Sequence, residues 1–182
     1  MLKLIIFIGG SAGIVYVSWT SLTVLRSHGF YRFFAWEFLL VLFLLNMEGW
    51  FRDPLSPHQI VSWVLLILSA FLVLHAVHLL RRTGKPDPRR DDMPMLGIEK
   101  TTTLVTEGAY RYIRHPMYSS LFLLGWGIFF KDPSWPGVSL ALGVTIFLLA
   151  TAKLEEAENK RFFGRTYQDY MERTKMFIPF LF

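Results

Sequence analysis

Residues 4–25 contain no charged side chain, and long apolar runs return along the rest of the chain. As a helix rising about 1.5 Å per residue, such a run crosses the roughly 30 Å of hydrocarbon in a bilayer. Lys3 precedes the first run as it would in a secretory leader. The run is longer than the apolar centre of such a leader, however, and no small-x-small cleavage site follows it, so it reads as a retained span. Further runs occupy residues 33–51 (broken by Glu37, Asn46 and Glu48), 57–80, 116–130 and 137–152. None alternates with the period of a strand, which excludes a membrane β-barrel. The expectation is an all-α polytopic membrane protein with about five transmembrane helices and an interfacial C-terminal helix.

Composition agrees. Hydrophobic residues make up 53% of the chain and charged residues 18%, with a mean hydropathy of +0.38. Seventeen Phe and six Trp suit lipid contact and interfacial anchoring. No cysteine is present, which removes disulfides, thiolate metal sites and a cysteine nucleophile from consideration. His75 and His78 share a helix face, but no second cluster of ligands accompanies them, so no metal is expected.

Five spans place the N-terminus, the 52–57 loop and the 131–136 turn on one side of the membrane. That side holds Lys3, Arg52 and Lys131. The other receives Arg26, Arg32, Arg81, Arg82, Lys85, Arg89, Arg90, Lys100, Arg111, Arg114 and every basic residue from Lys153 onward. The positive-inside rule puts the N-terminus outside and the C-terminus in the cytosol. The net charge of +5 is then a matter of topology and anionic lipid, and no nucleic-acid partner is expected.

The whole chain reads as one membrane domain: three spans over residues 1–80, a cytosolic loop over 81–115, a helical hairpin over 116–152 and an interfacial tail over 153–182. Prolines at 86, 88 and 94 make the loop extended or turning, and it serves either as a cover over a pocket or as a plain linker. The tail carries Phe162, Phe163, Tyr167, Tyr170 and Met171 at helical spacing, with Gly164 placed to bend it. Glu37 and Glu48 share a face of the second span; snorkelling and local pairing, with Arg52 four residues beyond Glu48, account for them as well as a functional role does.

Chemistry concentrates at Arg114-His115-Pro116-Met117-Tyr118 and at Glu155-Glu156. Pro116 suits the first turn of a helix. The rise from Pro116 to Phe130 is about 21 Å and from Gly137 to Glu155 about 27 Å. An antiparallel hairpin therefore brings Glu155 to within about one turn of Pro116, with Arg114, His115 and Tyr118 on one wall of a pocket and the two glutamates on the other.

These residues resemble the isoprenylcysteine carboxyl methyltransferase and phospholipid methyltransferase families, which share Arg-His-Pro-x-Tyr, an apolar segment and a Glu-Glu pair. The likeness runs from Leu104-Val105-Thr106-Glu107-Gly108-Ala109-Tyr110-Arg111-Tyr112 through that element, and resumes across Phe163-Gly164-Arg165-Thr166-Tyr167-Gln168-Asp169-Tyr170. It covers roughly the C-terminal eighty residues; the first three spans carry no matching motif. The resemblance implies S-adenosyl-L-methionine as cofactor, bound by Tyr110, Arg114, His115, Tyr118, Glu155 and Glu156. It implies methyl transfer to a lipophilic or prenylated acceptor arriving from the bilayer. The Gly108-x-Tyr110 lead-in favours isoprenylcysteine-type carboxyl methylation over a phospholipid amine or a small thiol. A carboxylate or thiolate needs no base, whereas an ammonium does, and Glu156 or a tyrosine is then the candidate. Arg81 and Arg82 are placed either to steady an acceptor anion or to meet lipid headgroups. Sterol reductases, which resemble the motif but use NADPH and are much longer, and a non-catalytic membrane factor are the other readings.

Overall fold

The computed structural model describes residues 1–85, 87, 96–97 and 99–181. The loop residues Pro86, Pro88, Arg89, Arg90, Met93 and Pro94, and the terminal Phe182, lie outside the described residues. Helices α1 (Leu2–Leu22), α2 (His28–Asn46), α3 (Pro57–Thr83), α4 (Pro116–Phe129), α5 (Trp135–Phe163) and α6 (Arg165–Arg173) follow one another, with 3₁₀ turns at Met47–Gly49 and Gly108–Arg111. Four of them, α1, α2, α3 and α5, are long and apolar enough to cross a membrane. The fifth apolar helix, α4, has 14 residues and is shorter than a full crossing.

Local sequence sets the helix starts. The Ser27 hydroxyl accepts from the Phe30 amide at 3.2 Å to open α2, and Ser134 accepts from the Gly137 amide at 3.2 Å to open α5. Pro57, Pro116 and Pro136 fall in first turns, where no amide hydrogen is needed.

Helix pairing relies on small residues and polar contacts, because lipid gives apolar side chains no reason to leave it. Ala35, Leu39 and Leu42 of α2 bury with Val144, Leu148 and Ala152 of α5, and Phe34 stacks on Phe147 at 5.3 Å. Gly143 admits the Phe38 ring, which a β-carbon would meet at 2.4 Å. Between α3 and α4, Ser62 donates to the Gly127 carbonyl and Ser69 to the Ser120 carbonyl, both at 2.7 Å. At the far end Lys131 is only 1% exposed. Its ammonium lies 3.3 Å from the Trp63 ring centroid and donates to Gln59 at 3.0 Å, which pins the α4–α5 turn against α3.

Element boundaries depart from the sequence reading where polar residues continue a helix. The second helix begins at His28, so His28 and Arg32 are helical. The third runs through Arg81 and Arg82 to Thr83. The fifth continues through Glu155, Glu156 and Glu158 to Phe163, so the glutamates belong to the hairpin helix rather than to a separate tail. Gly164, at φ 60° and ψ −134°, then breaks the chain before α6. Beyond α6, Phe177 packs into the core while Ile178, Phe180 and Leu181 are exposed. Glu48 meets Lys3 at 2.8 Å, not the nearby Arg52, and Glu37 accepts from Ser11 at 2.7 Å.

Candidate active site

The motif is seated by the chain that follows α6. The Arg114 amide donates to the Lys175 carbonyl at 2.8 Å, the His115 amide to the Met176 carbonyl at 3.2 Å, and the Lys175 amide to the Tyr112 carbonyl at 3.0 Å. The Ser119 hydroxyl, one turn into α4, lies between the His115 carbonyl at 3.0 Å and the Phe177 carbonyl at 2.9 Å and shares its one hydrogen between them. The His115 ring stacks on Tyr118 with centroids 5.5 Å apart. A short strand-like pairing and one serine thus fix the backbone that carries the ion pairs.

Side chains complete the arrangement. Arg114 Nε donates to Glu156 Oε1 at 2.6 Å, and its Nη1 reaches the Met171 carbonyl at 3.3 Å and the Thr174 carbonyl. His115 Nε2 is 3.4 Å from Glu156 Oε1, and its Nδ1 is 3.9 Å from Glu155 Oε2. The Tyr170 hydroxyl donates to the Tyr110 carbonyl at 2.6 Å, tying α6 to the 3₁₀ turn.

A cavity opens between these groups. Tyr110, Arg114, His115, Tyr118 and Glu155 line it together with Tyr167 and Tyr170 of α6. Glu156 stands behind, holding Arg114. Arg81 is exposed on the last turn of α3 and is not among the residues lining the cavity. The described part of the polar loop does reach the cavity, through Glu99, Thr101, Leu104 and Val105.

The sequence reading passed over His28, Arg32, Glu99, Glu158 and Asn159. His28, Glu99 and Asn159 line the cavity. His28 Nδ1 pairs with Glu158, while Arg32 Nη1 donates to both oxygens of Glu99 at 2.5 and 2.6 Å. The available signal was the spacing of His28 and Arg32, four residues apart just after a capping serine, which puts both on one face of a helix start.

Electrostatics follow from burial and pairing. Burial alone raises the Glu99 carboxyl, but the Arg32 guanidinium and the His28 ring outweigh it and hold the group at about 2. Burial pushes the phenols of Tyr110, Tyr167 and Tyr170 above their ordinary value, the first two also through Glu155. Those three hydroxyls keep their protons at neutral pH, and Tyr170 donates its own to the Tyr110 carbonyl.

The donor set fits a sulfonium nucleoside. Glu156, Glu158 and Glu99 are each committed to a basic partner, whereas Glu155, a quarter exposed, faces the cavity with the His115 ring at 3.9 Å. Among the described residues, the Tyr118 hydroxyl is buried with no hydrogen-bond partner, while the His28 and His115 Nε2 atoms lie 3.7 and 3.4 Å from Glu99 and Glu156. A carboxylate for a cation and an unpartnered hydroxyl for a ribose or ring nitrogen are what such a ligand requires.

Residues 57–169 match a family described as phospholipid methyltransferase. The chain is 27% identical over 124 residues to a methanethiol S-methyltransferase of Crocosphaera subtropica, covering 66% of this chain and 44% of that protein. It is 34% identical over 85 residues to protein-S-isoprenylcysteine O-methyltransferase B of Arabidopsis thaliana, covering 46% of this chain and 43% of that one. Against the human protein-S-isoprenylcysteine O-methyltransferase it is 37% identical over 83 residues, 44% of this chain and 29% of the relative. The chain therefore spans less than half the length of these curated relatives. No solved structure matches it.

Proposed function

Since the chain belongs to the phospholipid methyltransferase family, we propose that it transfers a methyl group from S-adenosyl-L-methionine to a lipophilic acceptor at the membrane surface. The observation that carries this reading is the meeting of Arg114, His115 and Tyr118 with Glu155 around one cavity. When bound, the cofactor supplies an electrophilic methyl group on a cationic sulfur.

The chain's own residues bind, orient and exclude water. Glu155 attracts the cationic part of the ligand, at a position where partial burial strengthens the attraction. Tyr118 and His115 offer a stacked face, and Tyr118 an unpartnered hydroxyl, to the nucleoside. Glu156 acts through Arg114, holding the guanidinium that fixes residues 171–174 against the site; it is a positioning residue. Alignment and desolvation supply most of the acceleration in such a displacement, and the buried walls serve both.

The acceptor is best matched by a group that needs no base. Tyr110, Tyr167 and Tyr170 all hold their protons, which favours an acceptor already anionic, such as the carboxylate of an isoprenylcysteine-type lipid. A small thiol is the second reading, favoured by the longer match to the methanethiol S-methyltransferase, 124 residues against 85. Residues 1–182 act as one membrane domain, with the cavity end in the cytosol by the distribution of Lys and Arg.

The test is transfer of a labelled methyl group in detergent or nanodiscs. Acceptors are a farnesylated cysteine, methanethiol and phosphatidylethanolamine. Label in the farnesylated cysteine as a base-labile ester is the expected result. Label in phosphatidylethanolamine alone contradicts the anionic-acceptor reading.

A further inference from the structure

The cavity poses a problem of size. The space a water-sized sphere can enter is about 70 Å³, far below the roughly 300–1,000 Å³ of small-molecule sites. A nucleoside sulfonium enters only if a wall moves. Most walls are helices locked into the bundle: Tyr118 on α4, Glu155 and Asn159 on α5, and His28 on α2. The part with least helical support is the loop stretch from Glu99 to Thr101.

That stretch is fixed at its two ends by different means. Beyond it, the Thr102 and Thr103 amides donate to the Gly84 carbonyl at 3.0 and 3.1 Å, and Val105 is buried with Ala76, Leu79 and Leu80. Gly84 allows the close approach, since a β-carbon there would meet Thr101 Cγ2 at 2.6 Å. This end is anchored beside the end of α3. At the other end the Glu99 carboxylate takes both hydrogen bonds from Arg32, lies 3.7 Å from His28 Nε2 and accepts from the Leu96 amide at 3.0 Å. His28 is in turn held by Glu158 of α5. A quartet of alternating charge, Glu158–His28–Glu99–Arg32, thus fastens one loop carboxylate to two helices.

We propose that Glu99 is a positioning residue that clasps the roof of the cofactor cavity to α2 through Arg32 and His28, and that release of this clasp sets the rate at which a sulfonium nucleoside enters and leaves. The proposal rests on the methyltransferase reading of the cavity. It adds α2, which lies outside the matched residues 57–169, to the working parts of the site. Glu99 stays ionised far below neutral pH, so its own charge in the clasp is constant over the physiological range.

Two measurements test it. Stopped-flow binding of S-adenosylhomocysteine compares wild type with Glu99→Gln, which keeps the shape and removes the charge. Association and dissociation rates should both rise about tenfold while the affinity changes far less. Rates equal to wild type in a folded variant overturn the proposal. The second does not depend on that variant. The chain has no cysteine, and Gly97 has open space around its α-carbon. Spin labels at Gly97→Cys and at the exposed Arg165→Cys therefore report the roof position in the otherwise native protein. The distance should lengthen when S-adenosylhomocysteine saturates the site, and an unchanged distribution overturns the proposal. If the wild-type protein fails to bind S-adenosylhomocysteine at all, the methyltransferase reading falls first and the clasp with it.

Discussion

Arg114 joins more of the site than any motif residue was expected to. Its guanidinium bonds Glu156 of α5 and the carbonyls of Met171 and Thr174, so one side chain ties the start of α4 to the hairpin helix and to the C-terminal end of α6. Lysine keeps the charge but not the fork. Arg114→Lys should weaken S-adenosylhomocysteine binding about tenfold, since one ammonium cannot hold Glu156 and both carbonyls in the same geometry. Calorimetry on the folded variant checks this. Glu99 gives a pH signature. Its carboxyl is depressed in the folded protein from 4.5 to about 2. Its contribution to stability is therefore complete above the ordinary carboxylate range and is lost as pH falls toward 2. Melting curves of wild type and Glu99→Gln should differ at pH 7 and converge between pH 4.5 and 2. A gap that persists at the acid end contradicts the assignment. Arg114, His115, Tyr118 and Glu155 were legible in the sequence because chemistry-bearing types cluster at fixed spacing. His28 and Glu158 were not, because their meaning lies in a contact across 130 positions.

The elements were legible to the extent that apolar length defines them. Four spans and a shorter fifth helix follow from apolar runs. What hydropathy missed are the ends, where polar residues stay helical: His28 at the start of α2 and the glutamates of α5. Gly164 was marked as a bend, and it is more than that. At φ 60° and ψ −134° it occupies backbone space that is nearly closed to other residues, and it sets the direction of α6, which brings Tyr167 and Tyr170 to the cavity. A β-carbon there meets nothing within 4 Å, so the cost of Gly164→Ala is purely conformational, about 1–3 kcal/mol. The bundle should remain folded by circular dichroism while S-adenosylhomocysteine affinity drops several-fold. Full affinity contradicts a role for α6 in the site. The same helix yields a spectroscopic expectation. The phenols of Tyr167 and Tyr170 are pushed up by burial, so alkaline titration at 295 nm should show them ionising only as the fold is lost.

At the scale of the molecule, the site depends on elements far apart in the chain meeting at one end of the bundle. Lys3 against Glu48 keeps the start of α1 beside the end of α2, at the end from which α3 departs. Single cysteines introduced into this cysteine-free chain test the orientation: Arg165→Cys should label from the cytosolic side and Arg52→Cys from the other. Labelling of both from one side contradicts the topology. The roof over the cavity was half legible, because proline and charge mark the loop but do not say which residue holds it down. If α4, α5 and the chain around α6 enclose a binding site for a sulfonium nucleoside, the purified protein binds one. Isothermal titration of the purified protein with S-adenosylhomocysteine, and then with NADPH, addresses it most directly. Saturable heat with S-adenosylhomocysteine, none with NADPH, and loss of that heat in Glu155→Gln are expected. Heat from NADPH alone, or a Glu155→Gln titration that matches wild type, would contradict such a site.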